Sequence, residues 1–146
     1  MNLSVEVACN AITALSEDAL GDASAFRYVV DLRKAHELTE DPSASFKERN
    51  IQYYRMPVSA ADISEQDLDH LRRELARSGG PYAVVSGGGK RAAALVLMHA
   101  GRTLGWSVEE TLSRCPELGD DPILRAHIQS YLERHRDRAA RHWSRD

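Results

Sequence analysis

The chain has 146 residues, 42% of them hydrophobic and 28% charged, with a formal net charge of −3. That is the size of one ordinary domain and enough apolar material for a core, which argues against disorder and against a strongly basic nucleic-acid binder. No apolar run reaches the ~18 residues of a membrane span, so no membrane partner is expected.

The opening segment MNLSVEVACNAITALSED carries acids early and lacks a basic n-region. It does not read as a secretory signal, and a cytoplasmic location is expected. Cys9 and Cys115 form no CxxC motif and are expected to be small buried hydrophobes rather than a disulfide. Residues 125–146 hold Arg125, Arg134, Arg136, Arg138, Arg141 and Arg145 against Glu133, Asp137 and Asp146, a net +3 that leaves −6 for the rest. Such a tail reads as a solvated helix face.

Residues 3–8 alternate apolar and polar and predict a half-buried strand. Ser16, followed by Glu17 and Asp18, predicts the cap of a short helix. Residues 26–32 are rich in β-branched and aromatic side chains and predict a second strand. The polar segment 34–46 predicts a loop, with room for one helical turn. Residues 51–56 predict a strand stopped by Pro57. A helix follows over 64–77, capped by Ser64 with Asp67 at the capping-box spacing and Leu68, Leu71 and Leu75 as its apolar stripe. Ser78-Gly79-Gly80-Pro81 ends it.

Residues 82–85 are wholly apolar and suit the centre of a parallel sheet. Ser86-Gly87-Gly88-Gly89-Lys90 comes next, and Arg91 opens a long apolar helix. Ser107 caps a further helix, and Pro122 begins the last one, where Ile128, Leu132, His135, Ala139 and Trp143 recur at helical spacing. That stripe can dock on the domain itself or on a second subunit, as a homodimer. The alternation of strands and helices predicts an α/β fold with a mostly parallel central sheet flanked by helices. A single domain over 1–146 is expected, with its core in about 3–115 and a C-terminal helix over about 122–143.

The informative motif is strand, glycine-rich turn, basic residue, helix. A helix N-terminus offers unpaired N–H donors and the positive end of a dipole. Gly87, Gly88 and Gly89 let the backbone curl and let an oxyanion approach, and Arg91 can add two parallel N–H bonds. Ser86, Gly87, Gly88, Gly89, Lys90 and Arg91 are therefore the candidate ligand-binding residues, joined by Arg33 at the end of the second predicted strand. A nucleotide P-loop is rejected, because Val84 stands where its first glycine belongs and Arg91 where its hydroxyl residue belongs. A dinucleotide fingerprint fails at its third glycine.

The segments Val29-Val-Asp-Leu-Arg33, Tyr54-Arg-Met-Pro-Val58, Ile63-Ser-Glu-Gln-Asp67 and Tyr82-Ala-Val-Val-Ser-Gly-Gly-Gly-Lys-Arg91 together resemble successive landmarks of one bacterial family. It is the beta-lactamase-hydrolase-like, dual-specificity (tyrosine) phosphatase-like family, and the resemblance covers about residues 3–115. It implies a three-layer phosphatase-like fold and a loop of the Cys-phosphatase type. Aligned on Gly89 and Arg91, Ser86 falls at the nucleophilic cysteine, Val85 at the preceding histidine and Ala92 at the following hydroxyl residue. Ser59 falls where several relatives carry an acid, and another gap placement makes Asp62 that acid.

The family's reaction needs a thiolate, which a helix dipole and an arginine can generate from a cysteine. The same device does not ionise a serine, which needs an adjacent base. His36 is a candidate base on the same sheet rim, although a solvated loop histidine is the blander reading. The joint loss of histidine, cysteine and hydroxyl residue points to a natural pseudophosphatase that keeps an oxyanion loop. The competing expectation is an active phosphomonoester hydrolase using Ser86 with a base from another loop. The expected partner is phosphate or a phosphorylated ligand or protein, and no cofactor is expected. The six histidines show no i,i+3 or i,i+4 pair, so no helical metal site is expected. His99 reads as a satisfied core residue, Arg33 as a ligand contact or the partner of an acid such as Asp31 or Glu37, and Trp106 and Trp143 as packing residues. The grip of amides and guanidinium on an oxyanion fails as a reading if the amides turn away from a shared centre or if the Arg91 guanidinium is locked in an internal carboxylate pair.

Overall fold

A computed structural model describes residues 3–77 and 79–143, from residue 136 onward by backbone alone. Five strands, β1 (Ser4–Val7), β2 (Ile12–Ser16), β3 (Tyr28–Asp31), β4 (Gln52–Arg55) and β5 (Tyr82–Ser86), form one sheet in the order β1-β2-β5-β3-β4. β1 runs antiparallel to β2, and every other pairing is parallel. The helices are α1 (Glu17–Leu20), α2 (Ser43–Glu48), α3 (Glu65–Arg77), α4 (Lys90–Leu104), α5 (Val108–Ser113) and α6 (Pro122–Trp143).

Two elements differ from the expectation. β2 was not anticipated, yet it lies between β1 and β5. The reversal before it uses Asn10 and Ala11 at positive φ, 60° and 50°, rather than a glycine or proline. The polar segment, expected as a loop with room for one helical turn, holds both a 3-10 turn, Ala35–Glu37, and a short helix, α2. Phe46 on α2 is buried and stacks on Tyr53, with ring centroids 5.1 Å apart. Ser16 does cap α1, accepting from the Ala19 amide, and Ser64 and Asp67 form the reciprocal capping box of α3. Of the predicted stop after α3, Ser78 lies outside the described residues, as do the side chains of Ala139 and Trp143.

The sheet separates two cores. Val30, Val84 and Tyr82 face a large one with α3, α4 and α6, while Val29, Ala83 and Val85 face a smaller one with Leu20, Phe46 and Ile51. This is the alternation expected of adjacent strand positions. Residues 92–101 of α4 are all buried, which makes that helix the central post of its layer. Gly101 allows the close approach of its neighbours, since a Cβ there would stand 2.8 Å from Thr111 Oγ1 and 3.2 Å from Leu132 Cδ2. α6 docks on its own domain through Leu124, Ile128, Tyr131 and Leu132. Each such buried leucine or isoleucine contributes roughly 1.5–3 kcal/mol.

Cys115 is buried and Cys9 half-buried, and neither is in a disulfide. His99 is a satisfied core residue: Nε2 lies 2.9 Å from Asn10 Oδ1 and Nδ1 lies 3.3 Å from Arg72 Nη1. Burial, with Arg72 and Arg102 nearby, pulls its pKa down to about 4. Trp106 packs against the large core beneath the Arg114 guanidinium, 4.2 Å from the ring centroid. No helix among the described residues is long and apolar enough to cross a membrane.

Candidate functional site

The parallel strands bring their carboxyl ends to one rim, the usual place for a ligand in an open α/β sheet. Ser16 pairs with Ser86 across β2 and β5, and Asp31 with Val85 across β3 and β5. The chain then turns through Gly87, Gly88 and Gly89 into α4.

Gly89 is the position where glycine is obligatory. It has φ +90°, and a Cβ would lie 2.9 Å from the Ser16 amide nitrogen and 3.0 Å from Leu3 Cβ. The loop is therefore pressed against the β1–β2 side of the sheet. Gly87 adds a tie, its carbonyl accepting from the Glu17 amide at 3.2 Å. Among the described residues, the amides of Gly87 to Arg91 donate to no protein acceptor. Gly88 faces open space, and Lys90 is exposed beside it.

Ser86 is fully buried, and its Oγ accepts from the Ala92 amide at 3.2 Å. The hydroxyl thus satisfies a helix-start donor that has no intrahelical partner. That is a structural use of its oxygen.

Arg91 is not free. Its Nη1 donates to Glu37 Oε1 at 2.9 Å and its Nη2 to Glu37 Oε2 at 2.5 Å, a bidentate pair. Nη1 also donates to the Val58 carbonyl at 2.9 Å, and Glu37 Oε1 further accepts from the Lys34 amide at 3.1 Å. The Arg91 side chain is 15% exposed and that of Glu37 22%. The guanidinium first, and the Lys34 amide with it, hold the Glu37 carboxyl down at about 2. The pair closes over the loop, since a Cβ on Gly87 would sit 3.4 Å from Glu37 Oε2 and 3.7 Å from Arg91 Nη2. This is the internal carboxylate pair that defeats a grip by the amides and Arg91 together, and the loop amides are the donors left open. From the sequence, Glu37 is expected only as a partner for Arg33.

Arg33 belongs to a different cluster. Its Nε and Nη2 grip the two oxygens of the fully buried Asp31, each at 2.9 Å, and its Nη1 reaches Glu17 at 3.2 Å. Tyr53 donates its hydroxyl to Asp31 Oδ2 at 2.5 Å, and burial and that carboxylate push the phenol well above its ordinary range. Asp62 ends an exposed 3-10 turn, Ala60–Asp62, and His36 is exposed in the turn that carries Glu37. Among the described residues, no three histidine, cysteine or acidic side chains are grouped as metal ligands.

The sequence matches no family model and no curated protein. Solved structures do resemble the fold. Tk-PTP, in a glycine-to-alanine mutant form, superposes with a TM-score of 0.71 at 17% identity, over 94% of this chain and 97% of that one. P. aeruginosa TpbA in complex with pTyr gives 0.68 at 18% identity, over 90% of this chain and 86% of that one. PTPMT1 in complex with PI(5)P gives 0.65 at 14% identity, over 89% and 95%. The chain has a phosphatase-like fold. Within that phosphatase-like framework, the rim formed by β5, the glycine turn and α4 is the part built from open amides, a basic side chain and a helix start.

Proposed function

We propose that this phosphatase-like domain binds a phosphate group at the loop of residues 86–91 and does not hydrolyse it. The observation that carries this reading is the state of Ser86. Its hydroxyl is buried, and its oxygen is engaged by the Ala92 amide. A serine hydroxyl is not ionised near neutral pH and needs an adjacent base to attack phosphorus. Among the described residues, its partner is the Ala92 amide, and neither His36 nor Asp62 is hydrogen-bonded to it.

The amides of residues 87–91 are the first contacts offered to a ligand, aided by the dipole of α4 and by Lys90. Arg91 joins them when it is released from Glu37. Phosphorylated side chains and phosphorylated small molecules share the group that these donors would recognise. TpbA and PTPMT1, solved with pTyr and PI(5)P, lend support to a phosphate-bearing ligand. A site of this kind is expected to bind with micromolar to millimolar affinity, roughly −8 to −4 kcal/mol.

Phosphate release from a generic phosphomonoester, measured for wild type and Ser86→Ala, tests the reading. It expects no release above background from either. Release by wild type that Ser86→Ala abolishes would establish the hydrolase alternative instead.

A further inference from the structure

We propose that the open edge of β4 takes an extended acidic segment of a partner protein as an added strand, with the acidic side chains of that segment set on Arg73 and Arg77. The residues concerned lie outside the loop 86–91, so the inference stands apart from phosphate binding.

β4 ends the sheet on one side, with β3 as its neighbour. The Gln52 amide donates to the Arg27 carbonyl and the Met56 amide to the Asp31 carbonyl, each at 2.9 Å, so both turn toward β3. Backbone groups alternate in direction along a strand, and those of Tyr53 and Arg55 therefore point outward. Among the described residues, neither of these two amides donates to a loop or turn carbonyl. The edge is also held in place. The Tyr53 ring stacks on Phe46 and its hydroxyl is bound to Asp31, while Tyr28 on β3 donates to Glu74 on α3 at 3.1 Å. A strand fixed before its guest arrives lowers the cost of ordering the pair.

A cleft lies on each face of this edge. The one beside α3, about 500 Å³, is lined by Tyr54, His70, Arg73, Glu74, Ala76 and Arg77. The one beside α2, about 460 Å³, includes Lys47, Asn50 and Tyr53. An added strand sends alternate side chains to opposite faces, one set into each cleft. Charge names the guest. Arg73 and Lys47 are exposed, and among the described residues neither enters an ion pair. Glu74 is already engaged by the Tyr28 hydroxyl and by Arg77, 3.8 Å away. The α3 cleft thus presents cations without matching acids, and acids at every second position of a guest strand match them. A second copy of this chain would instead bring the cations of two edges together across a two-fold axis. Charge therefore favours a foreign acidic strand.

The test adds the acetylated and amidated hexapeptide Glu-Thr-Glu-Thr-Glu-Thr to the full chain, with Lys-Thr-Lys-Thr-Lys-Thr as its counterpart, and follows backbone amide shifts and hydrogen exchange by NMR. The expected result is saturable binding of the acidic peptide alone, with exchange slowed at the Tyr53 and Arg55 amides. Arg73→Ala combined with Arg77→Ala is expected to weaken binding about 2–30-fold, the effect of two exposed ion pairs. Both side chains are exposed, so the fold is expected to tolerate their loss. N-methylation of the peptide needs no variant of the protein: methyl groups on one alternate set of residues, the set facing β4, abolish binding, and those on the other set leave it. Equal binding of the acidic and basic peptides, unchanged affinity in the double variant, shifts confined to residues 86–91, equal tolerance of both methylated sets, or no binding at millimolar peptide overturns the proposal. Protection of the Tyr53 and Arg55 amides that grows with protein concentration in the absence of peptide also overturns it, because the edge then pairs with a second copy.

Discussion

Gly89 and Ser16 sit so close that a single added carbon on the glycine would stand 2.9 Å from the serine amide. The contact joins the loop to the strand beside β5, and Gly89 is held there at φ +90°. Gly89→Ala meets a backbone that cannot yield and a left-handed conformation. It is expected to lower stability by about 1–3 kcal/mol from overpacking, with ~1–2 kcal/mol more from the dihedral. Gly88→Ala, where a Cβ meets nothing within 4 Å, is expected to stay within about 0.5 kcal/mol. Urea midpoints for the two variants check the contrast.

The Asp31 cluster supplies a second expectation. A fully buried carboxylate is tied there by Arg33 and by the Tyr53 hydroxyl. Tyr53→Phe removes one hydrogen bond to a charge, worth about 1.5–3 kcal/mol. Asp31→Ala leaves Arg33 without its buried partner and is expected to cost about 3–5 kcal/mol. Denaturant unfolding measures both. Because the cluster shares no hydrogen bond with Arg91, ligand affinity in Tyr53→Phe is expected to match wild type.

Acid stability separates into two windows. His99 has its pKa lowered from 6.5 to about 4 in the fold, so the unfolded chain takes up the proton first. Stability is full above about pH 6.5 and falls as pH drops toward 4, by a few kcal/mol at most. Glu37 has its pKa lowered from 4.5 to about 2, so its contribution is full above about 4.5 and is lost as pH falls toward 2. Stability measured against pH is expected to lose the upper slope in His99→Gln and the lower one in Glu37→Gln.

These groups also show what a linear pattern carries. The 82–104 region is legible because an apolar run, three glycines and a row of alanines and leucines each impose a local conformation. α3 is legible for the same reason, in its capping box and leucine stripe. β2 is not. It is five residues long and largely buried on both faces, so it shows little alternation, and Asn10 and Ala11 make its turn without glycine. α2 is hidden because one buried side chain, Phe46, anchors it and no period forms.

Among the candidate residues, the glycines and Arg91 are picked out by their order along the chain. The Glu37–Arg91 pair spans 54 positions and is created by the fold, which sets two loop ends side by side. Nothing local to residue 37 marks it as the partner of residue 91. Arg33 was legible as a rim residue, and its short-range partner Asp31 was among the acids named for it.

Phosphate binding at the loop is tested most directly by a titration with inorganic phosphate, read at the backbone amides of residues 87–91. Saturable shifts at those amides and at the Arg91 side chain, with affinity between micromolar and millimolar, are the predicted result. Amides that stay unmoved at tens of millimolar phosphate, while Arg91 remains on Glu37, would contradict it.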